Sequence, residues 1–181
     1  MDQAQQLRNV IKAKNQNNIK AARVITVTSG KGGVGKSNLS VNLAVQLRKL
    51  GKRVIILDAD FGLANIEVMF GVIPKFNLSS LIYHGKSIKE IISQGPMEIG
   101  FISGGNGVLG LNNLYRDQIM YLVKNISELN ELADVIIIDT GAGISDQVLE
   151  FVLASPEVLL VTTPEPSSLT DSYSLPYLLY P

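Results

Sequence analysis

The stretch Val24-Ile25-Thr26-Val27-Thr28 runs into Gly30-Lys31-Gly32-Gly33-Val34-Gly35-Lys36-Ser37, and a helical pattern follows it. The β-branched run reads as a strand. Val41, Ala44, Val45 and Leu47 recur at helical spacing from Asn38 to Leu50, and Gly51 follows as a stop. The octet between them has the spacing G-x-x-x-x-G-K-[ST] in the strand–loop–helix setting that a phosphate cradle needs. Glycines let the backbone wrap closely, so that several N–H groups point at one phosphate chain. The helix that starts near Lys36 adds roughly half a positive charge at its amino end. Lys36 is placed to neutralise the β and γ phosphates, and the Ser37 hydroxyl to ligate Mg²⁺. A glycine-rich turn without a ligand would share the composition, but not the strand before it and the helix after it.

Beyond the loop, strand and helix patterns continue to alternate. Arg53-Val54-Ile55-Ile56-Leu57-Asp58 reads as the next strand, and Met97 to Ser103 as a weaker one. Ile119, Leu122, Val123, Ile126 and Leu129 mark a long helix. Val135 to Asp139 and Val158 to Thr162 are near-continuous apolar runs, the pattern of strands buried on both faces. The expected fold is α/β, a doubly wound, mainly parallel sheet flanked by helices, with a helical extension at the amino terminus. Two segments are expected: residues 1–21 as a basic helix and linker, and residues 22–181 as the sheet domain.

Composition narrows the chemistry. Of 181 residues, 46% are hydrophobic and 18% charged, enough apolar material for a sizeable core. Sixteen basic residues balance sixteen acidic ones, which disfavours a globally basic nucleic-acid binder. There is no cysteine, so disulfides, a thiol nucleophile and cysteine-held metal clusters are excluded within this chain. The single histidine, His84, precedes Gly85 and reads as a surface or turn residue. No apolar run reaches the ~18 residues needed to span a bilayer, and the amino terminus lacks a signal-peptide pattern. A cytoplasmic location is the expectation.

Charge is uneven. Residues 1–23 carry a net charge of +4, leaving −4 for the rest. Within this leader Ala4, Leu7, Val10 and Ile11 fall on one helical face. Asp2 with Gln5 resembles a capping box. Asn15 to Asn18 reads as a linker. A helix this short is marginal alone in water, so its apolar face needs a partner, either the chain's own core or another protein.

Lys31, directly after Gly30, makes the loop GKGGVGKS, which resembles the deviant phosphate loop of the MinD/ParA class of ATPases. Asp58-Ala59-Asp60-Phe61-Gly62-Leu63-Ala64-Asn65 looks like the first switch of that class, and Asp139-Thr140-Gly141-Ala142-Gly143 like its second. The resemblance implies ATP held by Gly30, Lys31, Gly32, Gly33, Val34, Gly35, Lys36, Ser37 and Asn38, with Lys31, Lys36 and Asp60 as catalytic residues. Asp60 would position the attacking water. Ser37, Asp58 and Asp139 would hold Mg²⁺ or support it, Asp139 through a water, although a strand-end turn needs a polar residue too. Asn38 stands either against the α phosphate or on solvated helix surface. Lys31 would reach across an ATP-dependent homodimer to the partner's γ phosphate, making turnover slow in the monomer and faster in the dimer.

Asp2-Gln3-Ala4-Gln5-Gln6-Leu7-Arg8 is similar to the leader motif of the flagellar-number regulators of this class (FlhG, also FleN or YlxH type). There it stimulates FlhF, a GTPase of the signal-recognition-particle kind. Relatives of this type continue past the point where this chain stops, so the carboxyl terminus reads as truncated, without their base-contacting and membrane-binding segments. Two other functions stay open: a binding module that activates the GTPase through its leader with little turnover of its own, and a partition-type ATPase on DNA.

Overall fold

The computed structural model describes residues 21–61, 65–105, 114 and 116–179. The leader motif and its apolar helical face therefore lie outside the described residues, as do Gly62, Leu63 and Ala64 of the first switch motif. The elements are β1 (Arg23–Ser29), α1 (Lys36–Lys49), β2 (Val54–Ala59), α2 (Ile66–Phe70), α3 (Leu78–Tyr83), β3 (Ser93–Gln94), β4 (Gly100–Ile102), α4 (Arg116–Ile126), β5 (Val135–Ala142), α5 (Asp146–Ala154), β6 (Glu157–Leu160) and α6 (Pro166–Leu179). The sheet order is β3-β4-β2-β5-β1-β6, and every neighbouring pair is parallel except β3 with β4.

The apolar runs explain the layering. In β2 and β5, successive residues point to opposite faces. Ile55, Leu57, Ile136 and Ile138 enter one core with α3, α4 and α5. Val54, Ile56, Val135 and Ile137 enter a second core with α1 and α2. Central strands of a doubly wound sheet must be apolar on both sides, which is why they read as unbroken runs. Phe61 packs on Phe151 in the first core, and Phe70 meets Phe101 edge-on in the second.

Three expectations are corrected. The run Val158 to Thr162 is not buried on both faces: β6 is an edge strand, with Val158, Leu159 and Leu160 about 40% exposed. It pairs only with β1 among the described strands, so an apolar run there signals one-sided pairing. The strand expected from Met97 shortens to Gly100–Ile102, because Met97 and Glu98 adopt positive φ in the turn that joins β3 to β4. The sequence pattern predicts that a helix over Ser167 to Leu175 is interrupted at Pro176, whereas the last helix continues to Leu179. Proline removes one backbone donor and crowds one carbonyl, a local cost that a helix can absorb by bending.

Candidate nucleotide-binding site

The sheet order places the carboxyl ends of β1, β5 and β2 side by side. Asp58 on β2 and Val27 on β1 both lie in register with Asp139 on β5. The three motifs, separated by up to about a hundred residues in sequence, therefore meet at one end of the sheet, where open α/β folds bind ligands.

The glycine loop has the shape its sequence demands. Gly33 (φ 76°) and Gly35 (φ 96°) occupy left-handed conformations that side-chain-bearing residues rarely adopt. Gly35 caps α1 without any side-chain hydrogen bond. The first bond of the α1 ladder runs from the Leu39 N–H to the Gly35 carbonyl. The N–H groups of Lys36, Ser37 and Asn38 precede that ladder, leaving the donors and the positive end of the helix dipole facing the loop.

Lys36 is largely buried, and its Nζ donates to Ser29 Oγ at 2.9 Å. Ser29 Oγ in turn donates to the Lys31 carbonyl at 2.7 Å. Burial lowers the Lys36 pKa, opposed by the nearby carboxylates of Asp139 and Asp60. Asp139 is fully buried at the end of β5. Its Oδ1 accepts from Ser40 Oγ at 2.9 Å, while Oδ2 has no hydrogen-bond partner. Burial raises the Asp139 pKa, offset by the Ser37 and Ser40 hydroxyls and by Lys36. A buried carboxylate oxygen left without a partner costs free energy unless something completes it. Here it lies among Ser37, Lys36 and the open helix end. These oxygens suit Mg²⁺, which keeps several waters and takes one or two protein ligands beside phosphate oxygens.

Asp58 is placed differently. Its carboxylate is fully buried and turned back onto its own chain. Oδ1 accepts from the Asp60 N–H at 3.1 Å, and Oδ2 from the N–H groups of Asn65 at 2.9 Å and Ile66 at 3.1 Å. It thus ties together the two ends of the segment from 60 to 66. Burial pushes its carboxyl up to about 7, against the pull of the Ile66 and Asp60 N–H groups. The Asp60 carboxylate lies beside Gly141, where an added Cβ would stand 3.7 Å from Oδ1. Gly104 backs the same turn: a Cβ there would stand 2.9 Å from the Asp58 carbonyl oxygen.

Lys31 points away from the loop's interior. Its Nζ donates to Glu165 Oε2 at 2.7 Å and to Ser167 Oγ at 3.0 Å, at the start of α6. The same helix presses on the loop at Gly30, where a Cβ would stand 2.3 Å from the Asp171 carbonyl carbon. His84 is exposed at the end of α3, remote from the three motifs in sequence and outside this cluster of contacts.

Several residues that shape the site escape a motif reading. Ser40 was findable, since it lies three residues after Ser37 and so on the same face of α1. Ser29, Glu165, Ser167 and Asp171 carry no local signal. The last three are joined to the loop by contacts spanning more than 130 residues.

Residues 20–174 match the ParA family, described as NUBPL iron-transfer P-loop NTPase. The chain belongs to the ParA/MinD family of P-loop NTPases. It is 42% identical over 166 residues to the antiactivator FleN of Pseudomonas aeruginosa, covering 92% of this chain and 59% of that protein. It is 37% identical over 186 residues to the flagellum site-determining protein YlxH of Helicobacter pylori, covering 96% of this chain and 60% of that one. The septum site-determining protein MinD of Pyrococcus horikoshii, solved with Mg-ADP, superposes with a TM-score of 0.73 at 27% identity, over 87% of this chain and 65% of that one. The chain thus spans about three fifths of the length of the curated relatives it matches. No described helix is long and apolar enough to cross a membrane.

Proposed function

We propose that this chain is the nucleotide-binding part of an ATPase switch of the ParA/MinD family that regulates flagellar number or placement. The observation that carries the nucleotide reading is the left-handed glycine loop at the uncapped end of α1, with Lys36 turned inward and Asp139 Oδ2 unpartnered behind it. The likeness to FleN and YlxH supports the flagellar output.

In this reading residues 30–38 bind the triphosphate through backbone N–H groups, and Lys36 balances charge on its terminal phosphates. Ser37 and Asp139 would hold Mg²⁺, Asp139 through a water; when bound, the ion spreads the charge that develops during phosphoryl transfer. Asp60 orients the attacking water. Asp58, with its oxygens taken by backbone donors, acts by fixing the turn that carries Asp60 rather than by touching the ion. ATP joins two such subunits face to face, and each Lys31 crosses to the other's γ phosphate. Residues 1–21 form a separate segment in which Asp2 to Arg8 engages an FlhF-like GTPase, and any membrane contact is peripheral.

Lys36→Ala tests the base of this scheme. At ~100 times its dissociation constant, MgATP adds ~2.7 kcal/mol to the parent's stability in a thermal-shift assay. The variant should gain almost nothing, and an equal gain would remove the phosphate-loop assignment.

A further inference from the structure

At the end of β1 opposite the glycine loop, an apolar cavity of about 90 Å³ opens between α4 and α5. Its walls include Ala22, Val24, Val123, Ile138, Phe151 and Ala154. On the same measure a single water needs ~10–15 Å³, and a cavity of ~150 Å³ lined by aliphatic and aromatic side chains binds benzene. A space between these limits suits one branched aliphatic side chain. Its polar neighbours are few: Lys124, Ser127, Asn130 and Ser155 sit among the lining residues, and Asn130 Oδ1 already accepts from the Ala22 N–H at 3.1 Å.

Where the described chain begins decides what can reach this cavity. Ala21, its first residue, is part of the wall. Residues 1–20 are therefore tethered through Ala21 to the cavity wall. They carry an apolar stripe, Ala4, Leu7, Val10 and Ile11, that a short helix cannot keep in water. Residues 12–20 join stripe to cavity and can extend to ~30 Å, so reach imposes no obstacle. A tethered segment also competes at millimolar effective concentration, which a separate protein rarely attains.

We propose that the cavity between α4 and α5 receives the apolar face of the chain's own leader, with Leu7 as the side chain that enters it. The docked leader keeps Leu7 and Arg8 away from other proteins until it is displaced. This surface lies at the far end of β1 from the glycine loop, so leader docking and nucleotide binding can fail independently of each other.

The absence of native cysteine allows a direct test in the full chain. A Val10→Cys, Ser127→Cys pair, mildly oxidised, should close an intramolecular disulfide at least about tenfold faster than Val10→Cys with Ile73→Cys, because docking raises the local concentration of one thiol at the other. Ile73 is 96% exposed, so that control thiol is fully accessible. Equal rates would overturn the proposal. Disulfide-linked dimers in place of closed monomers would overturn it too, and would assign the cavity to a second copy's leader. Trypsin gives an independent readout at Arg8, Lys12, Lys14 and Lys20. Leu7→Asp, which leaves the sheet domain untouched, should speed cleavage at these sites severalfold. Unchanged cleavage would count against docking even if the disulfide formed.

Discussion

Gly30 is the residue at which the loop has least freedom. A side-chain carbon added there would come within 2.5 Å of backbone atoms of Asp171 and Ser172, which cannot swing aside as a flexible side chain would. Gly30→Ala should therefore push α6 off the loop and cost about 1–3 kcal/mol, as overpacking does elsewhere; thermal denaturation of the pure variant measures this. Gly33 and Gly35 need glycine for a different reason, their backbone angles, and face open space. Lys31 lies on the same side as α6. Its ion pair with Glu165 is solvent-exposed, and such pairs bias a conformation only slightly. Glu165→Gln should release Lys31 and raise ATP turnover at low protein concentration, by severalfold at most. A drop in turnover would mean that Glu165 serves the reaction instead of restraining Lys31. The glycines and Lys36 could be read from the sequence because loop chemistry is written in consecutive residues. The destination of Lys31 could not: in the sequence it is a loop lysine, and the carboxylate that holds it sits 134 residues away.

At the scale of elements, the central strands were legible and the margins were not. Strands β2 and β5 announce themselves because burial on both faces leaves no room for polar alternation, and β1 by its β-branched run, whose Thr26 and Thr28 are buried as well. Helices α2 and α3, five and six residues long, are too short to show a period. They are fixed by contacts from elsewhere, such as the Asp58 carboxylate at the start of α2 and the Asn77–Ser80 capping box on α3. The amino ends of β2 and β5 are joined by a polar clasp that can be switched off with acid. Asp134 Oδ2 accepts from the Arg53 N–H at 2.9 Å, and Oδ1 from its guanidinium at 3.0 Å. These bonds, the guanidinium first, hold the Asp134 pKa at about 2, below its ordinary value of 3.8. A depressed carboxylate pKa stabilises the fold above the unfolded value and loses that contribution as pH falls through the folded one. Stability of the parent should therefore decline between about pH 4 and pH 2 more steeply than that of Asp134→Asn; parallel urea titrations at the two ends of that window would show it.

For the molecule as a whole, the described sheet has a protected interior between two margins, the short strand β3 and the apolar strand β6. Strand β6 presents Val158, Leu159 and Leu160, each about 40% exposed, next to backbone groups with no further described strand to pair with. Apolar open edges recruit other edges. Concentrated samples of this chain should self-associate, and Leu159→Lys should shift the association to higher concentration in sedimentation velocity runs. An unchanged profile would place the contact elsewhere. Strand β1, by contrast, is clasped on both flanks, by β5 and by β6. Seven residues at ~3.3 Å each make it a rod of roughly 20 Å that cannot stretch. A dye on residue 21 and a fluorescent nucleotide would thus sit at opposite ends of a fixed ruler, and any flicker in energy transfer would report what attaches to the ends, because the span between them stays constant.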